Sequence, residues 1–473
     1  MLRSNRVTWL AGLTVFVAFG TLLYATGVLD SSSYLHGRLN GHGNVIVDSS
    51  LGSPNSTSAP EITPHCVTPV EEWNSSRFLK GPPTKLFREN LLENRSYITC
   101  WAIAGFTNQF MGYANMIYLG FLSDRIPIIP PFGPGPHISR SAGLVPFGRI
   151  FNLTRARIEL HKPLLEWSDV KDLPSPTSIQ SPPDSEREPL GCFSTRPDFD
   201  PHPNRVREIV DHLQLDIAYS RVPTQVRLHP SNNREDFLVF PNLAPYIFPR
   251  RPRPPPNGHF QFMEASPLGQ KLPPDNHMAC FDYLYYITSS SDAFEWERSW
   301  APAWVQVGKY LDFTDDLVEI VEGYLRRVFG SSDSILPFIA VHIRRGDFGR
   351  NCDKGSDKCF IPLATFKKKV DVMISDLLES KNIHIEKVII MSDEKNLNFW
   401  EEVKEIGWVH FNHKEEDTLE KYGEWYLPII DIVAQSMATG FVGTASSTFS
   451  LVSARRVEDW NGGPIVLVSR SGN

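Results

Sequence analysis

The chain has 473 residues, more than one typical domain requires, and its 41% hydrophobic and 21% charged residues exclude wholesale disorder and a coiled coil. A net charge of −7 lacks the basic excess of a general nucleic-acid binder, so no nucleic-acid partner is expected. The 38 prolines, about 8% against a usual ~5%, predict long rigid loops between the regular elements.

Residues 1–6 hold Arg3 and Arg6, and an uncharged run from Val7 to Leu29 follows before Asp30. That run, residues 7–29, exceeds the ~20 residues that cross a bilayer as a helix. Basic residues ahead of it favour a cytosolic tail and a lumenal remainder. The expectation is a single-pass type II signal-anchor in the Golgi or endoplasmic reticulum membrane. A cleaved signal peptide is the competing reading, with Ala25 and Gly27 as small residues near a cleavage point. Residues 30–95 are rich in Ser, Gly, Asn and Pro and read as a stem. Sequons at Asn55, Asn74, Asn94 and Asn152 fit lumenal exposure. In an oxidising lumen the six cysteines read as disulfides, and only Cys352 and Cys359, which flank a polar loop, are expected to pair locally.

Order begins at YITCWAIAG (Tyr97–Gly105), a short apolar strand, followed by the turn GFTN, a helix over Gln109–Ser123 and a second strand in RIPIIPP. Strand, glycine turn, helix, strand is the opening of a parallel α/β sheet. From about 133 to 300 the pattern is hard to read, and Leu173–Pro189 and the basic Pro249–Gly258 are expected as surface loops. An Asp198-Phe199-Asp200 triplet has the form of a metal-binding motif, but Pro197 and Pro201 flank it and no apolar strand leads in.

Thr314 opens an amphipathic helix whose stripe is Leu317, Val318, Val321, Tyr324, Leu325 and Val328. Strands and helices then alternate: FIAVHI (338–343), a helix after Pro362, KVIIMS (387–392), a helix in NLNFWEEVKEIG, and WVHF (408–411) as a strand. WYLPIIDIVAQSMA follows as a helix interrupted at Pro428, then GFVGT (440–444), a helix in TFSLVSARR, and PIVLVS (464–469). Continuous apolar runs between helices are buried parallel strands. The fold class is therefore α/β, with two facing Rossmann-like domains, 96–310 and 311–473, after the anchor and stem.

Ligands in such sheets lie beyond the carboxyl ends of strands, and three places there are chemically marked. HIRRGDF (His342–Phe348) closes FIAVHI. Alternation puts His342 and Arg344 on one face as a cationic grip for a diphosphate, the alternative being an Arg pair on carboxylates and a buried structural His. The Arg-Gly-Asp tripeptide within it follows a buried strand rather than a loop tip, which argues against adhesion. GTASSTFS (Gly443–Ser450) ends a strand in a hydroxyl-rich turn that opens a helix, a metal-free anion site, and Ser446, Ser447 and Thr448 exceed what an ordinary cap needs. Asp431 lies in an otherwise apolar helix face and needs donors, which guanine or a neighbouring Arg would supply. Asp393, at the exit of VIIMSDE, is a further candidate of this kind.

HIRRGDF followed about a hundred residues later by FVGTASSTFS, with Asp431 about a dozen residues before Gly443, resembles the GDP-fucose protein O-fucosyltransferases. GFTNQ is similar to that family's Gly-rich turn ending in Asn, here Asn108. The resemblance implies an inverting, metal-independent transferase of the GT-B type that needs no cofactor beyond its donor, GDP-fucose, and acts on a protein or glycan acceptor. It implies that Arg344 holds the β-phosphate and glycosidic oxygen with support from His342. Ser446, Ser447, Thr448 and Phe449 would bind the diphosphate and neighbouring groups, Asp431 would read guanine, and Asn108 would reach in from the opposite domain. Asp347 and Asp393 complete the candidate donor-binding set. The family often carries an Arg or a Glu in the N-terminal turn, whereas Ala104–Thr107 supplies neither. No general base is assigned, with Asp347 and Glu264 as open candidates. A catalytically inactive lumenal GDP-sugar- or glycan-binding protein is the alternative reading.

Overall fold

The computed structural model describes residues 75–177, 181–196, 202–228, 237–249, 260–292, 294–332, 334–351 and 360–470. The anchor segment 7–29, most of the stem, the Asp198–Asp200 triplet and the Cys352–Cys359 pair lie outside these residues. Among the described residues, no helix is long and apolar enough to cross a membrane.

The strands are β1 (Tyr97–Cys100), β2 (Ile126–Ile129), β3 (Leu165–Glu166), β4 (Glu188–Ser194), β5 (Leu215–Arg221), β6 (Arg227–Leu228), β7 (Phe237–Leu238) and β8 (Phe262–Glu264), then β9 (Met278–Phe281), β10 (Phe338–Ile343), β11 (Lys387–Ser392), β12 (Gly440–Thr444) and β13 (Ile465–Val468). They form a seven-stranded sheet, β3-β2-β1-β9-β4-β5-β8, a four-stranded sheet, β11-β10-β12-β13, and a β6–β7 pair. The seven-stranded sheet is parallel except at β5–β8, and the four-stranded sheet is parallel throughout. All residues of β1, β10 and β12 are buried, as expected of parallel strands covered on both faces.

The helix Phe106–Leu122 links β1 to β2 and is buried nearly all round, which is why its sequence carries no charged residue. Asp315–Phe329 is amphipathic instead. It buries Leu317, Val321, Tyr324, Leu325 and Phe329, has acidic residues in its first turn and arginines in its last, and ends on Gly330 at φ 67°. Val318 and Val328 sit at the edge of this stripe, partly buried.

The structure departs from the sequence-based expectation in three places. The 408–411 segment forms no strand; Val409 makes a single bridge to Ile389 at the sheet margin. Pro428 does not interrupt its helix. The helix runs Tyr426–Ser436 and places Pro428 in the first turn, where a missing N–H leaves no bond unmade. The region from 133 to 300 contributes β3, β4, β5, β8 and β9 to the larger sheet, and a disulfide that spacing did not reveal, Cys192–Cys280, joins the neighbouring strands β4 and β9. Cys100 is buried and forms no disulfide among the described residues.

One continuous apolar cluster connects the two sheets, running from Phe110, Phe151 and Trp304 to Val433 and Leu451. Arg456 lies fully buried within it, its guanidinium 4.9 Å from the ring centre of Phe110, 4.6 Å from Phe313 and 5.4 Å from Trp460. Burial pushes its pKa down to about 9 against the opposing pull of Asp312, and its side-chain nitrogens have no hydrogen-bond partner among the described residues. The aromatic faces replace those partners as a cation–π cage.

Candidate active site

The chemically marked residues converge where β10 and β12 end side by side. The Thr444 hydroxyl donates to the His342 carbonyl at 3.2 Å and accepts the Arg344 N–H at 2.9 Å, tying the two strand exits together. Ser446 turns the chain with φ 64°, and Ser447 caps the helix Thr448–Asn461, its hydroxyl accepting from the Ser450 N–H at 3.4 Å. The small residues of this turn leave the first N–H groups of the helix pointing out of the sheet edge, where an anion is favoured. A cavity of about 320 Å³ opens beside Ser446, Ser447 and Thr448, walled opposite by Phe294, Glu297 and Arg298.

His342 is buried, with Nδ1 2.7 Å from the Ser450 hydroxyl and its ring 4.8 Å from that of Phe449. Burial, reinforced by Arg344, lowers its pKa to about 3. The expected cationic pair is thus corrected: His342 is neutral, because a second charge beside Arg344 in a dry pocket is unfavourable. Arg344 carries the positive charge alone. Its Nη1 donates to Asp393 and its Nη2 to Asp347, and Nη2 also lies 3.3 Å from His137 Nε2. Asp393 further accepts the Arg345 N–H at 2.7 Å. A Cβ at Gly346 would collide with the Asp393 carboxylate, so this glycine permits the close approach. Arg345 points elsewhere, to Glu394 at 3.4 Å and over the Phe399 ring, as strand alternation predicts.

The facing wall comes from the larger sheet. The Thr448 hydroxyl donates to Asn108 Oδ1 at 2.6 Å and lies 3.1 Å from the Thr107 hydroxyl. The turn before Asn108 has Ala104 at φ 73°, and Gln109 holds it by donating to the carbonyls of Ala104 at 2.9 Å and Gly133 at 2.7 Å.

Arg344, His342, Asp347, Asp393, Ser447, Thr448, Phe449 and Asn108 are therefore brought together, and Ser446 shapes the turn. Asp431 belongs to a separate cluster. Among the described residues it meets no arginine but His413, whose Nε2 is 3.0 Å from Asp431 Oδ1 and whose Nδ1 is 3.1 Å from the Thr418 hydroxyl. Burial opposes charging of His413, but the Asp431 carboxylate outweighs it, so the His413 pKa is raised. Glu264 is bound to Arg205 and to His202, and both carboxylate oxygens are engaged there. Sequence reasoning missed His137 and His413; the local signal for His137 is its place in the Gly- and Pro-rich loop that follows β2.

A guanidinium at one strand exit and a hydroxyl-capped helix start at the next define an α/β protein suited to a phosphate-bearing ligand. The family model described as GDP-fucose protein O-fucosyltransferase matches residues 97–458. The chain belongs to that family, and it is a GDP-fucose-dependent fucosyltransferase. A search of curated proteins finds no match. Among solved structures, POFUT1 in complex with GDP-fucose is 15% identical with a TM-score of 0.48, over 79% of this chain and 98% of that one. Apo POFUT1 gives 14%, 0.47, 80% and 98%. The fucosyltransferase NodZ from Bradyrhizobium gives 12%, 0.37, 76% and 92%.

Proposed function

We propose that the protein transfers fucose with inversion and without a metal, from GDP-fucose held at the β10 and β12 ends to a hydroxyl of a protein acceptor. The observation that carries this reading is the position of Arg344, whose backbone is bonded to the strand end that leads into the Ser447-capped helix. Departure of GDP builds negative charge on the β-phosphate. A permanent guanidinium and a helix N-terminus stabilise that charge more in the transition state than in the ground state. Asp347 and Asp393 hold the guanidinium in place, and the phosphate competes with Asp347 for Nη2. Neutral His342 supports from behind, through Ser450 and Phe449. Asp431 keeps one oxygen on His413 and offers the other to the ring N–H and amine of guanine. Asn108 closes the site from the opposite wall. The two sheets are the cores of facing Rossmann-like halves, 96–310 toward the acceptor and 311–473 toward the donor.

The site works in the lumen of the Golgi or endoplasmic reticulum, on a chain anchored by residues 7–29. The apolar run itself and the Cys192–Cys280 bridge support that compartment, since disulfides persist where the surroundings are oxidising. No observation favours the catalytically inactive alternative. The test is Arg344→Ala with purified protein. Transfer from GDP-fucose should fall by about 10²–10³-fold with the thermal transition retained, and unchanged turnover would refute the role.

A further inference from the structure

Resting on that reading, we propose that His137 is the acceptor-side catalytic base that the N-terminal turn lacks. Arginine donates and never accepts, so the 3.3 Å contact from Arg344 Nη2 makes His137 Nε2 the acceptor, with its lone pair directed at the guanidinium. That nitrogen is unprotonated in this arrangement, which is the form a base requires. The imidazole is exposed, so a proton it receives passes to water.

The loop that carries His137 is fixed on the wall opposite Arg344. Gly133 accepts from and donates to the Gln109 amide, a Cβ at Gly135 would press on the Ala104 carbonyl, and Ser139 donates its N–H to Glu424 at 2.8 Å across the cleft. The other carboxylate candidates are less suited. Asp347 lies on the leaving-group side and is bonded to Arg344, and both oxygens of Glu264 are engaged, by Arg205 and His202.

The sugar lies between Arg344 and His137, so donor binding parts their contact, and the phosphate takes the Nη2 donor. The acceptor oxygen forms a bond to the anomeric carbon. The bond from that carbon to the β-phosphate oxygen breaks, and its electron pair leaves with GDP. The hydroxyl proton moves to His137 Nε2 and from there to solvent.

His137→Gln keeps an acceptor for Arg344 but cannot take a proton. Its kcat for transfer should fall by about 10²–10⁴-fold with GDP affinity unchanged. In His137→Ala, added imidazole should restore part of the lost rate. Wild-type turnover by the Gln variant, a parallel loss of GDP affinity, or a loss that imidazole leaves untouched would overturn the proposal. Wild-type protein assayed alongside separates the two readings. No transfer by the wild type removes the transfer mechanism itself, whereas equal transfer by wild type and His137→Gln removes only the role of His137.

Discussion

Arg344 shares its guanidinium between two carboxylates, Nη1 on Asp393 and Nη2 on Asp347, and on the reading proposed above a phosphate would compete with Asp347. This sets the charge of the site by residue, and His342 adds nothing to it. A buried imidazole with a pKa of about 3 stays neutral in the folded protein, while the unfolded chain takes a proton below about 6.5. The unfolded state therefore binds more protons between those values, and stability falls as pH drops through that window. The contribution of this one group is at most about 1.4 kcal/mol per pH unit. Urea unfolding at pH 7 and pH 5 should show a smaller acid loss in His342→Gln than in the wild type. Asp431 offers a second residue-level test. Asp431→Asn removes a charged acceptor, so GDP affinity should weaken by about 1.5–3 kcal/mol. The preference for guanine over uracil diphosphate should shrink with it, as calorimetry would measure.

The strand ends are legible in the sequence, and much of the middle is not, for reasons that differ by element. FIAVHI and GFVGT announce themselves as unbroken apolar runs, and each leads directly into its polar motif. The strand β4, EPLGCFS, contains Pro, Gly and a half-cystine between Pro-rich loops. Its neighbour β9 pairs with β1 from about 180 residues away, a contact no local pattern encodes. WVHF has strand composition but lies at a margin where only Val409 finds a partner. His137 was invisible for a related reason, because it meets Arg344 across 207 residues of chain. The turn after β10 depends on Gly346 more than its short length suggests. Gly346→Ala should push the Asp393 carboxylate off Arg344 at a stability cost of about 1–3 kcal/mol. Transfer should fall while the fold persists, which an assay paired with a thermal melt would check.

At the scale of the molecule, the larger sheet is stapled internally by Cys192–Cys280, whose loop spans 88 residues. Replacing both cysteines with serine should cost about 2–5 kcal/mol and lower the melting temperature. Wild type melted under reducing conditions should approach the same value. Between the sheets the contact has two unlike ends. Arg456 sits in its aromatic cage, dry and without polar partners among the described residues. Eight residues earlier on the same helix, about 12 Å away along its axis, Thr448 meets Asn108 and Thr107 through hydroxyl and amide groups alone. Water can replace the second set of contacts but cannot enter the first. Parting the two sheets at the Thr448 end would exchange a few hydrogen bonds for others, whereas parting them at Arg456 would strip a buried charge of its aromatic surroundings.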